Sequence, residues 1–421
     1  MKLLQTIFMF VLSISLFGQT LSPTIVTNNP TINYAHLNHI EKVVKPFLEQ
    51  KKLIGSVVIV VKDNQVVHYK GYGLADAEQN KPMEANAIFR IMSQTKAITS
   101  LAIMQLFEQG KLDLDQKVSD FIPEFKNPTV VKDYNEKDTT FTTIPASREV
   151  TVRDLLTHTS GIDYSDIGSA KMKAIYAKAK IPSGLGEFKV TLLDRMKALG
   201  KLPLAHQPGE KFTYGLNTDL LGCLVEVISG ETLENYFNKH IFEPMGMKDT
   251  YFNLPAEKAN RLAAVYTENE QKQVIPWGPT FRNLNPNYPL AKKAYFSGGA
   301  GLSSTAFDYA IFLQMLLNKG QYNGKQIIGR RTAELMVSPQ LNPGLLGNDN
   351  FSLGFQIQSE KSANLKMRSK GSFSWGGYYG TTYWADPKEN LIVLIMTQHT
   401  PNSNGYVAGR IENIIYGSLV R

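Results

Sequence analysis

The chain has 421 residues, 43% of them hydrophobic, a formal net charge of +8 and a single cysteine. That apolar share suffices to bury one large core or two smaller ones, which excludes a disordered chain. One cysteine permits no internal disulfide, and the basic residues are scattered rather than gathered into a nucleic-acid stripe. The densest basic run, Lys171 to Lys201, reads as a solvated helical face.

The first residues, MKLLQTIFMFVLSISLFGQT, combine Lys2, an apolar run from Ile7 to Phe17 and the small Gly18. This pattern predicts a signal peptide over residues 1–19, because the run is shorter than the roughly 20 residues a membrane span needs. A periplasmic or secreted protein is expected. Residues 20–32 read as a flexible lead-in. A helix is expected from about Asn33 to Gln50, and GSVVIVVKD with QVVHYKGYG reads as a hairpin turning at DN.

The stretch FRIMSQTKAITSLAIMQLFEQG, Phe89 to Gly110, carries Ser93 and Lys96 in the order S-x-x-K, and no other serine has a lysine three places on. From Thr95 the apolar residues recur at helical spacing, which puts the pair in the first turn of a buried helix. Residues three apart share a helix face, so the amine can take or hold the hydroxyl proton. The helix N-terminus adds N–H groups able to stabilise an oxyanion.

Residues 126–148 have few periodic apolar positions and predict no regular structure. TVRDLLTHTSGI reads as a short helix capped by Thr151 and ended at Gly161, with His158 as a hydrogen-bonded structural residue. Helical pattern over 171–200 is broken by PSGLG. Tyr214 follows a Pro-Gly turn and precedes an apolar helix from about Thr218 to Ile228, stopped by Gly230 and restarted at Thr232; Cys223 is a core residue within it. The tract 253–294 reads as loop-rich. Gly298, Gly299 and Gly301 do not make G-x-G-x-x-G, and a Ser304 or Thr305 cap opens a helix to Leu317.

SLGFQIQ, SFSWGG, GTTYWADP and NLIVLIMTQ are strands, followed by an amphipathic C-terminal helix. Strands at both ends with helices between predict an α+β fold. One antiparallel sheet is built from N- and C-terminal segments, flanked by helices, with a helical insertion. A single domain over 33–421 is expected, its sheet part about 33–92 and 295–421 and its helical part about 93–294. His36 and His39 lack a third ligand nearby, so no metal is expected, and G-x-S-x-G is absent.

These blocks, together with LDLDQKVSDFIPEF, FTYGLNTDLLG, FEPMGMKDT, GGAGLSSTAFDYAIFLQMLL and SWGGYYGT, resemble the serine beta-lactamase-like family of class C beta-lactamases, D-alanyl-D-alanine peptidases and family VIII carboxylesterases. The resemblance spans most of the chain and implies a beta-lactamase/transpeptidase-like fold. It implies Ser93 as nucleophile, with Lys96 and Tyr214 sharing proton transfer. An oxyanion hole from the backbone N–H groups of Ser93 and Tyr378 is also implied, as are substrate contacts from Trp375, Gly376, Gly377 and Asn217. No cofactor is implied.

Two departures bear on substrate. Trp375 stands where the family has Lys or His, and an indole is one neutral donor that cannot replace a cation. Leu216 stands where Y-x-N has its asparagine, with Asn217 one place later. Both point to small neutral esters cleaved through an acyl-enzyme. A D-amino-acid peptidase or amidase, a weak beta-lactamase, or a silent binding protein on the same fold are the alternatives. Nothing in the sequence speaks to oligomeric state.

Overall fold

Every position of the β-branched strand Gly55–Lys62 is buried, so it lies in the middle of a sheet covered on both faces. In the computed structural model, which describes residues 20–184, 189–278, 284–403 and 406–420, this strand pairs with Gln65–Asp76 on one side and Leu391–Met396 on the other. Ile59 faces Tyr69 in one register and Leu394 in the other. The full sheet has eight strands in the order 350–351, 356–357, 373–376, 382–386, 391–396, 55–62, 65–76 and 81–82, with every neighbouring pair antiparallel. Sheet strands thus come from both ends of the chain, and the fold is α+β of the beta-lactamase/transpeptidase type.

Alternation along the central strand divides the core. Val58 and Val60 meet Ile40, Val44, Ile411 and Ile415 of the two terminal helices, His39–Glu49 and Tyr406–Gly417. Val57, Ile59 and Val61 face the larger core with the internal helices Thr95–Glu108, Asn217–Ser229 and Ala306–Leu317. The helix Thr95–Glu108 is buried on all sides through Leu106, which lets it carry reacting groups without a solvent-facing stripe.

Local signals act as expected at several boundaries. Asp63 and Asn64 adopt positive φ in the first hairpin, Thr151 and Asp154 form a reciprocal capping box, and Gly230 closes its helix at φ 74°. Thr232 and Thr305 cap the next helices. Among the described residues no helix is long and apolar enough to cross a membrane. The expected signal peptide, residues 1–19, lies outside the described residues.

Three expectations are corrected. Residues 20–32 are not a loose lead-in: Leu21 N donates to Tyr322 Oη (2.9 Å), Val26 N to Val66 O (2.8 Å) and Asn29 Nδ2 to Gln65 Oε1 (2.9 Å), tying the segment down. The helix expected over 33–50 is two, Tyr34–Leu37 and His39–Glu49, joined at Asn38. Residues 126–148 contain a hairpin of Thr129–Tyr134 with Phe141–Pro145. Its second strand is exposed at every position, so no burial alternation marks it in the sequence.

Candidate active site

Ser93 lies in a single 3₁₀ turn, Met92–Gln94, that runs into the helix Thr95–Glu108, and it does not cap that helix. Met92 sits at φ 50°, a conformation costing on the order of 1–3 kcal/mol for a non-glycine residue. The surroundings hold the turn: Tyr309 Oη donates to Gln94 O (2.8 Å) and Leu302 N to Thr95 Oγ1 (3.2 Å). A strained turn fixed from outside presents Ser93 at an open cleft.

Lys96 is buried one turn on. Its Nζ donates to Ser93 Oγ (3.3 Å), Tyr164 Oη (2.8 Å) and Gly299 O (2.8 Å). These three contacts fix Nζ against the Ser93 hydroxyl. Nζ also lies 4.6 Å from the centre of the Tyr214 ring, a cation–π contact. The Tyr214 hydroxyl accepts from Trp375 Nε1 (3.2 Å) and has no hydrogen bond to Ser93 or Lys96 among the described residues. Ser93, Lys96, Tyr214 and Trp375 are therefore brought together, with Tyr214 meeting Lys96 through its face.

The sequence reading missed Tyr164. Burial, with Tyr214 and Asp219 nearby, pushes its phenol well above the ordinary tyrosine range, so it stays protonated beside Lys96. Asp219 was missed as well. It lies in the first turn of Asn217–Ser229, accepts from Tyr295 Oη (3.2 Å), and has its pKa raised by burial although Ser297 and Lys96 favour the charged form. The glycine run packs here: a Cβ on Gly299 would come within 2.5 Å of Asp219 Oδ2, so only glycine lets this backbone deliver its carbonyl to Lys96.

Asn217 is corrected. It is fully buried, takes the Ser160 hydroxyl on Oδ1, and places Nδ2 3.0 Å from His158 Nδ1 and 3.4 Å from the carbonyls of Ile162 and Thr213. With its amide spent on these partners it does not line the cleft. Its position as first residue of the helix turns it inward. His158 is the structural residue expected, and burial pushes its pKa well below the histidine range.

The strand Phe373–Gly376 pairs along its length with Thr382–Asp386, but its other neighbour reaches only Ser374 and Phe373. The backbone from Trp375 to Gly377 therefore has an open edge toward the cleft. A Cβ on Gly377 would meet Thr381 Oγ1 at 2.3 Å and Ile91 O at 2.5 Å, so this glycine lets the strand end lie against the nucleophile turn. Ser93 and Tyr378, the expected oxyanion pair, both line an open cleft of about 470 Å³ with Tyr214, Trp375, Gly376 and Gly377. They also share a tight recess of about 30 Å³ with Met92, Tyr164, Ile167 and Ala300. A larger groove, about 810 Å³, runs between residues 364–367 and 409–413 and contains none of the predicted site residues.

Within the cleft the cation Arg368 is already engaged. Its Nε and Nη2 bind Glu412 at 3.0 and 2.7 Å, and its guanidinium lies 4.3 Å from the Trp384 ring centre. The open cleft beside Ser93 thus offers no cation other than this paired one among its described lining residues, and the tight recess adds the acid Asp166.

A half-buried serine on a buried lysine beside an open strand edge, on this antiparallel sheet, marks a serine hydrolase of the esterase and beta-lactamase type. The Beta-lactamase family model matches residues 40–414, and the chain belongs to that family. It is 28% identical to esterase EstB of Burkholderia gladioli over 362 residues, covering 83% of this chain and 87% of that protein. It is likewise 28% identical over 396 residues to N-acetylmuramyl-L-alanine amidase of Bacillus subtilis, covering 87% and 83%. Among solved structures, EstCE1, described as a hydrolase with promiscuous acyltransferase activity, superposes with a TM-score of 0.80 at 27% identity, covering 91% of this chain and 99% of that one.

Proposed function

We propose that the protein is an exported hydrolase that cleaves small neutral esters through an acyl-enzyme on Ser93. The observation that carries this reading is Trp375: a neutral indole, bonded to the Tyr214 hydroxyl, occupies the strand position where a carboxylate-binding cation would stand. Arg368 offers no substitute while Glu412 holds it.

In this reading Lys96 reacts as the neutral amine, its two N–H groups on Tyr164 Oη and Gly299 O and its lone pair toward Ser93 Oγ; the serine attacks the ester carbonyl carbon as its proton passes to Nζ, with Tyr214 sharing the transfer. The negative oxygen of the tetrahedral intermediate is held by the backbone N–H groups of Ser93 and Tyr378. Collapse breaks the bond to the alcohol, which leaves with the transferred proton. Water then adds to the acyl-enzyme by the same route, and the acid departs to restore Ser93. Gly376 and Gly377 leave the open strand edge accessible to the acyl group.

Turnover of short-chain aryl esters by the wild type, with Ser93→Ala at least about a thousandfold slower, is the expected result. No turnover, or full turnover by Ser93→Ala, overturns the reading. The likeness to the Bacillus subtilis amidase favours a second reading, hydrolysis of small amides. Consumption of a D-amino-acid amide or a beta-lactam at a rate comparable with an ester would select it.

A further inference from the structure

Arg90 stands three residues before Ser93, is 1% exposed, and has no carboxylate partner among the described residues. Its Nε donates to Pro286 O (2.5 Å), and its Nη1 to Ala263 O (2.7 Å) and Gln398 Oε1 (3.2 Å). Neither N–H of Nη2 has a partner among the described residues. A buried guanidinium left without an anion is costly, and the cost falls if an anion arrives.

Arg90 borders a cavity of about 300 Å³ that contains none of Ser93, Lys96, Tyr214 or Trp375. That volume is at the lower end of the range, roughly 300–1,000 Å³, of small-molecule sites. The opposite charge lines the same cavity and is also uncompensated. Asp76 and Glu78 pair with no lysine or arginine among the described residues, and neither is hydrogen-bonded to Arg90. Asp76 is held in place, because its Oδ1 accepts the backbone N–H groups of Glu78 (2.9 Å) and Gln79 (3.0 Å), which leaves Oδ2 uncommitted. Tyr266 Oη takes the N–H of Ala77 (2.7 Å) and fixes the turn between the two acids. Trp277 and Tyr266 give the cavity aromatic walls.

A fixed cation, the held carboxylate of Asp76 and the exposed one of Glu78 border one small chamber without hydrogen-bonding each other, which suits a ligand bearing both charges. We propose that this cavity binds a small zwitterion of the free amino-acid class, its carboxylate on Arg90 and its ammonium on Asp76 and Glu78. Charge-assisted hydrogen bonds at both ends supply the affinity, with the free N–H groups of Arg90 Nη2 donating to the carboxylate. The inference does not depend on the chemistry at Ser93.

The test is titration calorimetry on the full chain carrying Ser93→Ala, with L-alanine, D-alanine and glycylglycine as probes, and acetate and ethylammonium as single-charge controls. Saturable binding of at least one zwitterion is expected, with both controls at least tenfold weaker. Arg90→Lys, and separately the double variant Asp76→Asn with Glu78→Gln, should each weaken it at least tenfold. The double variant sits on a partly exposed turn, so it decides the matter even where Arg90→Lys does not fold. No saturable binding by any zwitterion, binding unchanged in the double variant, or acetate binding as tightly as the amino acids would each overturn the proposal.

Discussion

Lys96 has three hydrogen-bond acceptors, and the shortest contacts are to Tyr164 and Gly299 rather than to Ser93. Two tyrosines therefore touch one amine, the first through its hydroxyl and the second through its ring. Tyr164→Phe removes a hydrogen-bond partner from the buried Lys96 amine, so kcat/KM for an aryl ester should fall about 10–100-fold with the fold intact. Tyr214→Phe should cost more, about a thousandfold, if its hydroxyl moves the proton. Equal and small effects would assign proton transfer to Lys96 alone. That Ser93, Lys96, Tyr214 and Trp375 lie together was legible because short motifs carry them. Tyr164 was not, since the segment that bears it gives no sign of reaching a lysine 68 positions away in sequence. Asn217 was misread for the converse reason: its place in a motif said nothing of the helix start that turns it toward Ser160 and His158.

At the scale of elements, the strand ending at Gly376 serves the site only because it lies against the backbone of Ile91. Gly377→Ala puts a methyl group into two contacts under 3 Å, one of them with that backbone, so the strand must retreat from Ser93. Esterase activity should fall at least about a hundredfold, with a circular dichroism spectrum like that of the wild type. Gly376→Ala meets only Thr381 O, at 3.0 Å, and should be milder. If the two variants lose activity equally, close approach to Ile91 is not what the glycine provides. Thr151→Ala breaks a capping box and should cost about 1 kcal/mol, read as a small drop in Tm. Caps such as this one, and the Gly230 stop, could be read from sequence because one residue decides them. The exposed strand Phe141–Pro145 could not, because its pairing with Thr129–Tyr134 leaves no periodic trace.

Across the whole molecule, Asp308 links the helix Ala306–Leu317 to the preceding layer, accepting from Asp249 N (2.7 Å) and Thr250 Oγ1 (2.9 Å). Burial raises its pKa from 3.8 to about 6. The folded state therefore holds this proton more tightly than the unfolded chain. The resulting stability is fully present below about pH 4 and is lost as pH rises through about 6, by about 3 kcal/mol. Asp308→Asn should flatten that part of the Tm-against-pH curve, and an unchanged slope would sink the assignment. The sheet has a further consequence for how the protein is made. Gly55–Lys62 finds its partner in Leu391–Met396, almost at the other end of the chain. During synthesis the first hairpin must wait with a bare edge until nearly everything else has emerged. Such late closure makes folding slow and leaves a nascent chain open to aggregation until its last strand arrives.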